Sequence, residues 1–181
     1  MKTRIMIISD IHGGLYDLSK VLAIYEKEHF DRLFVLGDLL GYSYDQAEDR
    51  ILELLNGIKD CAMVRGNCDP QTLRCEDILR LNIEGVKFTL THGHRFSLFS
   101  MLRDDSDIIC QGHTHRPSIS VAKNRIVLNP GSITASRKGP NSFATIEDGY
   151  IYLKSTDNVV LEKVEMPEMG GKEDKSCITN G

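Results

Sequence analysis

Residues 4–14 read RIMIISDIHGG, an unbroken apolar run that gives way to Ser9-Asp10-Ile11-His12 and a pair of glycines. A run without polar alternation marks a strand buried on both faces, as in a parallel sheet. Asp10 and His12 stand two residues apart, so in an extended segment their side chains point the same way and reach one point. Gly13 and Gly14 then let the backbone turn sharply. Repetition of this unit, a strand followed by a polar turn with glycine, decides the fold.

The unit recurs along the first half. Leu15–Glu28 carries Leu15, Leu18, Val21, Leu22 and Tyr25 at helical spacing. Arg32–Leu36 is a second strand, ending in Gly37-Asp38, and Ala47–Leu55 is a second amphipathic helix. Cys61–Val64 is a third strand, ending in Arg65-Gly66-Asn67-Cys68-Asp69. Strand, helix, strand, helix, strand implies parallel strands joined by right-handed crossovers. The second half changes character. Ile78–Ile83 and Val86–Leu90 read as a hairpin about Glu84-Gly85, and a short helix is predicted over Ser97–Leu102. Short strands follow at Asp107–Cys110, Ser118–Val121, Ile126–Leu128, Phe143–Ile146 and Tyr150–Lys154, with a turn at Glu147-Asp148-Gly149. Parallel strands followed by short antiparallel ones predict two packed sheets with helices on their outer faces.

Composition bounds the function. The 181 residues are 41% hydrophobic and 27% charged with a net charge of −4, the balance of an ordinary water-soluble globular protein. Mild acidity argues against a binder of duplex nucleic acid, which shows a basic stripe. No apolar run is long enough for a membrane span, and the N-terminus runs straight into a strand. Residues 1–166 are expected to form one domain, and 167–181, ending MGGKEDKSCITNG, a disordered tail. The five cysteines are odd in number and form no C-x-x-C, so reduced thiols in a cytoplasmic protein are expected, not a zinc-thiolate site.

Ligand-type residues fall where the strands end. Asp10 and His12 follow the first strand, Asp38 the second and Asn67 the third. His92 and His94 follow the Val86–Leu90 strand, and His113 and His115 follow Asp107–Cys110, again two residues apart. In open α/β sheets ligands bind at the carboxyl ends of parallel strands, so these turns can converge on one crevice. Alone, an Asp-x-His, a Gly-Asp or a Gly-Asn is an ordinary turn. Five of six histidines in such turns, leaving only His29 elsewhere, point instead to a shared cage.

The order D-x-H, G-D, G-N, H, G-H-x-H resembles the calcineurin-like metallophosphoesterases over roughly residues 4 to 155. The short spacing, His92-Gly93-His94 and Asn129-Pro130-Gly131-Ser132 are similar to its small prokaryotic phosphodiesterase branch, which also holds the retromer's vacuolar-sorting scaffold subunit. The resemblance implies an α/β fold, a four-layer αββα sandwich of two mixed sheets flanked by helices, around two divalent metal ions. By position, Asp10, His12 and His115 would hold one ion, Asn67, His92 and His113 the other, and Asp38 would bridge them. Nitrogen and oxygen ligands suit manganese, which is favoured, as well as zinc, iron or nickel. The implied reaction is hydrolysis of a small phosphodiester, with cyclic nucleotides, small nucleotides and other diesters all left open, by in-line attack of a hydroxide bridging the metals. Two divalent ions, two carboxylates and one hydroxide leave about +1 at the site, which attracts a phosphate anion. The family also suggests a homodimer.

One position departs from the family. Many members read G-N-H-[DE], and that histidine is thought to stabilise the transition state or protonate the leaving oxygen; here Cys68 stands in its place. A thiol is a weaker proton donor, so diesters with good leaving groups are expected to outrun alkyl monoesters. Asn67, Cys68 and His94 are the catalytic candidates, with His94 orienting His92 or touching phosphate. Arg65, Arg95 and Arg116 are candidate phosphate binders, with solvated surface charge as the alternative, and Tyr42 and Tyr44 candidate stacking groups, with core or surface packing as the alternative. Two other functions compete: a non-catalytic scaffold of the same fold, which has no need of seven ligands, and a phosphomonoesterase.

Overall fold

The computed structural model describes residues 1–41, 47–95, 100, 103–122 and 125–167. Strand β1 (Ile5–Ile8) lies beside β2 (Arg32–Val35), which lies beside β3 (Cys61–Met63), and both pairings are parallel. Helices α1 (Leu15–Lys27) and α2 (Ala47–Asn56) are the crossovers. On the other side of β1 run β9 (Ser142–Glu147), β10 (Tyr150–Ser155) and β11 (Val160–Glu165), all antiparallel, completing a six-stranded sheet. The second sheet has the order β4 (Ile78–Ile83), β5 (Val86–Thr91), β6 (Ile108–Gln111), β8 (Arg125–Asn129), β7 (Ser118–Ala122).

The unbroken apolar run of β1 has a direct explanation. Ile5 and Ile7 face the second sheet, in a core shared with Phe34, Leu36, Phe88, Leu90, Ile108 and Leu128. Met6 and Ile8 face the helices, with Leu33, Val35, Leu18, Val21, Ile51 and Leu55. Both faces are dry, so alternation has nothing to distinguish. Two mixed sheets packed face to face, with α1 and α2 outside the six-stranded one, are the expected α/β sandwich. The helix predicted over Ser97–Leu102 lies largely outside the described residues, as do Tyr42, Tyr44 and, apart from Pro167, the C-terminal tail.

Two expectations need correction. The second half is not a succession of antiparallel strands: β5, β6 and β8 are mutually parallel, with β4 and β7 antiparallel at the edges. The continuous apolar run of β6, buried from Ile108 to Cys110, already had the character of a central parallel strand. Strand β11 was not anticipated. Its residues are mostly exposed, so no buried stripe marks it; only its ladder to β10 makes it a strand. Its charged Glu162, Lys163 and Glu165 suit an open sheet edge. Among the described residues no helix is long and apolar enough to cross a membrane, and the described cysteines form no disulfide.

The two sheets are keyed by Phe34 of β2 and Phe88 of β5, whose rings meet edge to face at 5.7 Å between centroids. Phe88→Ala should lower the free energy of unfolding by about 3–5 kcal/mol, read from denaturant melts. A loss well under 1 kcal/mol would show that this contact does not tie the sheets together.

Candidate metal centre

The turns after β1 and β2 are stitched together. The backbone N–H of Asp10 donates to Gly37 O at 3.1 Å, that of His12 to Asp38 O at 2.9 Å, and that of Gly13 to Leu39 O at 3.1 Å. Across to the second sheet, the N–H of His113 donates to the Asp10 carboxylate at 3.1 Å. The N–H of Gly112 donates to His92 O, also at 3.1 Å. Glycine is required at two of these crossings. A side chain on Gly66 would collide with the Asp38 carboxylate and its backbone nitrogen, and one on Gly112 with Ser9 and Asp10. Asp10, His12, Asp38, His113 and His115 all adopt left-handed backbone, with φ of 55, 48, 51, 68 and 58°. That conformation is unfavourable for residues with a Cβ, and its concentration at one place marks strain held by surrounding structure for a purpose.

The side chains then converge. Asp10 Oδ1 is 3.2 Å from His115 Nε2 and 3.9 Å from His12 Nε2, and the two Nε2 atoms are themselves 3.2 Å apart. Asp38 Oδ2 lies between the two groups, 3.7 Å from His12 Nε2 and 3.3 Å from His92 Nε2. His92 Nε2 is 3.1 Å from Asn67 Oδ1, and the His113 ring stands edge-on to His92 with centroids 5.1 Å apart. All seven residues inferred as ligands thus gather at one place. His12, Asp38, Asn67, His113 and His115 line a cavity of about 320 Å³, and the buried Asp10 and His92 stand behind it.

The donor set fits cations. His92 Nδ1 donates to Leu36 O at 2.7 Å and His115 Nδ1 to Ala135 O at 2.8 Å, which leaves each Nε2 lone pair aimed inward. Asp10 Oδ1 is buried and, among the described residues, has no hydrogen-bond partner. Lone pairs crowded this closely repel unless positive charge lies among them. Two overlapping triads have donor geometry able to hold a metal: Asp10, His12 and His115, and Asp10, Asp38 and His92. Burial pushes the Asp38 carboxyl up, but the His92 imidazole and the Cys68 backbone N–H outweigh it and hold it at about 2. Burial pulls the His12 and His113 imidazoles below the ordinary histidine range, which keeps them neutral and able to ligate. For His92 the same burial effect is overcome by Asp38, and its pKa is raised.

The neighbouring residues sort themselves by contact. Cys68 is half-buried on the cavity wall. Its N–H donates to Asp38 Oδ1 at 2.8 Å, and its sulfur accepts from Asn67 Nδ2 at 3.1 Å and forms a third metal-compatible group with His12 and Asp38. His94 packs against the His92 and His113 rings, with centroids 5.4 and 6.2 Å away, and among the described residues joins no such group. Arg65 and Arg95 both pair with Asp77, at 2.7 and 2.8 Å, so neither is a ready phosphate binder; Arg116 does line the cavity.

Sequence reasoning assigned no role to Asp69 or Arg137. Buried Asp69 accepts from the N–H groups of Leu39 and Leu40 through Oδ1, at 2.8 and 3.0 Å, and of Gly66 through Oδ2, at 2.8 Å. One carboxylate thereby locks the Asp38 turn to the Asn67 turn. The signal was present, because Asp69 fills the acidic position of G-N-H-[DE]. Arg137 lines the cavity from a loop that carries no ligand-type residue to draw attention to it.

The calcineurin-like phosphoesterase superfamily domain matches residues 3–148. The chain belongs to this family. It is similar to the phosphodiesterase YfcE of Escherichia coli, 28% identical over 80% of this chain and 88% of that protein. It is also similar to the probable metallophosphoesterase YsnB of Bacillus subtilis, 30% identical over 74% and 76% of the two chains. The solved structure of the E. coli phosphoesterase YfcE superimposes with a TM-score of 0.80 at 26% identity, covering 91% of this chain and all of that one. Vps29 from Entamoeba histolytica, solved with zinc, gives a TM-score of 0.67 at 23% identity, over 90% of this chain and 98% of that one, a likeness of fold. The protein is a phosphoesterase, and its family membership implies divalent metal ions.

Asp69→Ala should cost about 2–4 kcal/mol of unfolding free energy, because buried N–H groups lose their acceptor. Manganese affinity, measured by calorimetry, should weaken by roughly 10–100-fold, since Asp38 and Asn67 lose their common brace. Unchanged affinity would show that Asp69 does not position the cage.

Proposed function

We propose that this phosphoesterase is a metal-dependent phosphodiesterase acting on small phosphodiesters, nucleotide-like ones included. The observation that carries the reading is the gathering of seven nitrogen and oxygen donors around one open cavity with Asp38 between two groups of them. Asp10, His12 and His115 would hold one divalent ion and Asn67, His92 and His113 the other, with Asp38 shared; manganese is the favoured metal. Bound there, the pair supplies Lewis acidity towards the phosphoryl oxygens and a hydroxide at neutral pH for in-line attack.

The chain's own residues do the rest. Asp38, deprotonated at any physiological pH and held by the Cys68 N–H, fixes the spacing between the two groups of ligands. His92 and His115 are locked in orientation by their hydrogen bonds to Leu36 O and Ala135 O. Cys68 stands on the cavity wall where many family members carry histidine. A thiol donates a proton poorly at neutral pH, so the site favours leaving groups that depart as anions, as in activated diesters. His94, outside the cage but against His92 and His113, is read as steadying those rings.

The scaffold alternative draws on a likeness of fold to Vps29, and a surface that only docks a partner needs none of the strained ligand turns. The phosphomonoesterase alternative is disfavoured by Cys68.

With manganese, bis-p-nitrophenyl phosphate should be cleaved much faster than p-nitrophenyl phosphate, and Asp38→Ala or His113→Ala should lower that rate by at least about 100-fold. Cys68→His should raise monoesterase activity by roughly ten-fold or more if a proton donor is what the site lacks. No turnover with any divalent metal would overturn the enzyme reading. An unchanged monoester rate in Cys68→His would overturn the role given to the thiol.

A further inference from the structure

Four arginines surround the cage, and they divide into two kinds. Arg65 and Arg95 share the single carboxylate of Asp77, which offsets one of their two charges and holds both side chains. Arg116 and Arg137 line the cavity itself, and among the described residues neither has a carboxylate partner. The loop that carries Arg137 is anchored to the cage. His115 Nδ1 donates to Ala135 O at 2.8 Å and the Arg137 N–H donates to His115 O at 2.9 Å, so both neighbours of Ser136 are tied to one candidate ligand. The Ser136 N–H is held in turn by Asn141 Oδ1 at 3.1 Å. Arg116 directly follows His115 and shares the same wall with Thr114. Arg116 and Arg137 are thereby both held next to His115 in the cavity lining, while Cys68 lies against Asp38 and Asn67.

We infer that Arg116 and Arg137 form a subsite for a second phosphate of the substrate, so that the diester cleaved carries a phosphate group beyond the scissile one. The inference rests on the phosphodiesterase reading above. With its two metals and hydroxide the cage carries about +1, which a single diester anion neutralises. The two guanidiniums are surplus to that balance. Covering them with a substrate that brings no further anion would strip water from cations without replacing it, which is costly. A phosphate monoester group, doubly charged and rich in acceptors, matches two guanidiniums lining one cavity through charge-assisted hydrogen bonds. The subsite binds and orients; it takes no part in bond breaking.

The test compares two chromogenic esters that differ by one group: the 5′-p-nitrophenyl phosphate of thymidine with a free 3′-hydroxyl, and the same ester bearing a 3′-phosphate. With manganese-loaded protein the 3′-phosphorylated ester should show a KM about ten-fold lower, with similar kcat. In Arg116→Ala and in Arg137→Ala the ratio of the two KM values should fall towards one, and Arg137→Lys should retain part of it. Equal KM values in the unaltered protein would overturn the subsite, as would variants that slow both esters alike with the ratio intact. If neither ester is cleaved and bis-p-nitrophenyl phosphate is also untouched with every divalent metal, the phosphodiesterase reading fails; in either case of no cleavage, calorimetry decides the subsite by itself. Thymidine 3′,5′-bisphosphate binding tighter than thymidine 5′-monophosphate, with the difference abolished in the arginine variants, supports it; equal binding overturns it.

Discussion

Asp38 is the constraint on which the arrangement depends. Its carboxylate stands between His12 on one side and His92 on the other, and its second oxygen is fixed by the Cys68 N–H. Buried acceptors and lone pairs that face one another at 3.1–3.9 Å are unfavourable in a bare cavity and favourable around positive charge. Asp38 and four of the surrounding residues also sit in left-handed backbone, a cost of roughly 1 kcal/mol or more for each. A fold retains such a concentration of unfavourable terms where it serves chemistry.

The rest of the molecule holds that geometry in place. Burial on both faces makes β1 the rigid spine of the six-stranded sheet, and its end delivers Asp10 and His12. The turns after β2 and β3 can touch because Gly66 has no side chain, and Asp69 clamps them. The turn after β6 reaches Asp10 because Gly112 has none. Stability and function meet here: the hydrophobic contact of the two sheets brings their strand ends into register, and the hydrogen bonds between turns fix what the ends carry.

Much of this was legible in the sequence, and the parts that were not share a cause. The strand-and-helix alternation of residues 5–63 is strongly periodic and was read to within a residue or two of the observed bounds. The candidate ligands were legible because each lies in a glycine-containing turn that follows an apolar run. β11 was missed because an exposed edge strand has no buried face to impress on its pattern. The apolar run of β6 had the character of a central parallel strand, but its pairing with β8 was missed because which strand lies alongside is a property of partners, which local pattern does not record. Asp69 and Arg137 act through contacts with residues elsewhere in the chain, so their roles emerge only with the fold. Arg65 and Arg95, by contrast, looked useful in sequence and proved occupied by Asp77.

The central claim is that two cations share the Asp38 carboxylate. Anomalous diffraction at the manganese edge, from crystals of manganese-loaded protein, tests it most directly. The account predicts two peaks about 3.5–4 Å apart astride Asp38, one against Asp10, His12 and His115 and the other against Asn67, His92 and His113. A single peak, or peaks away from Asp38, would contradict it.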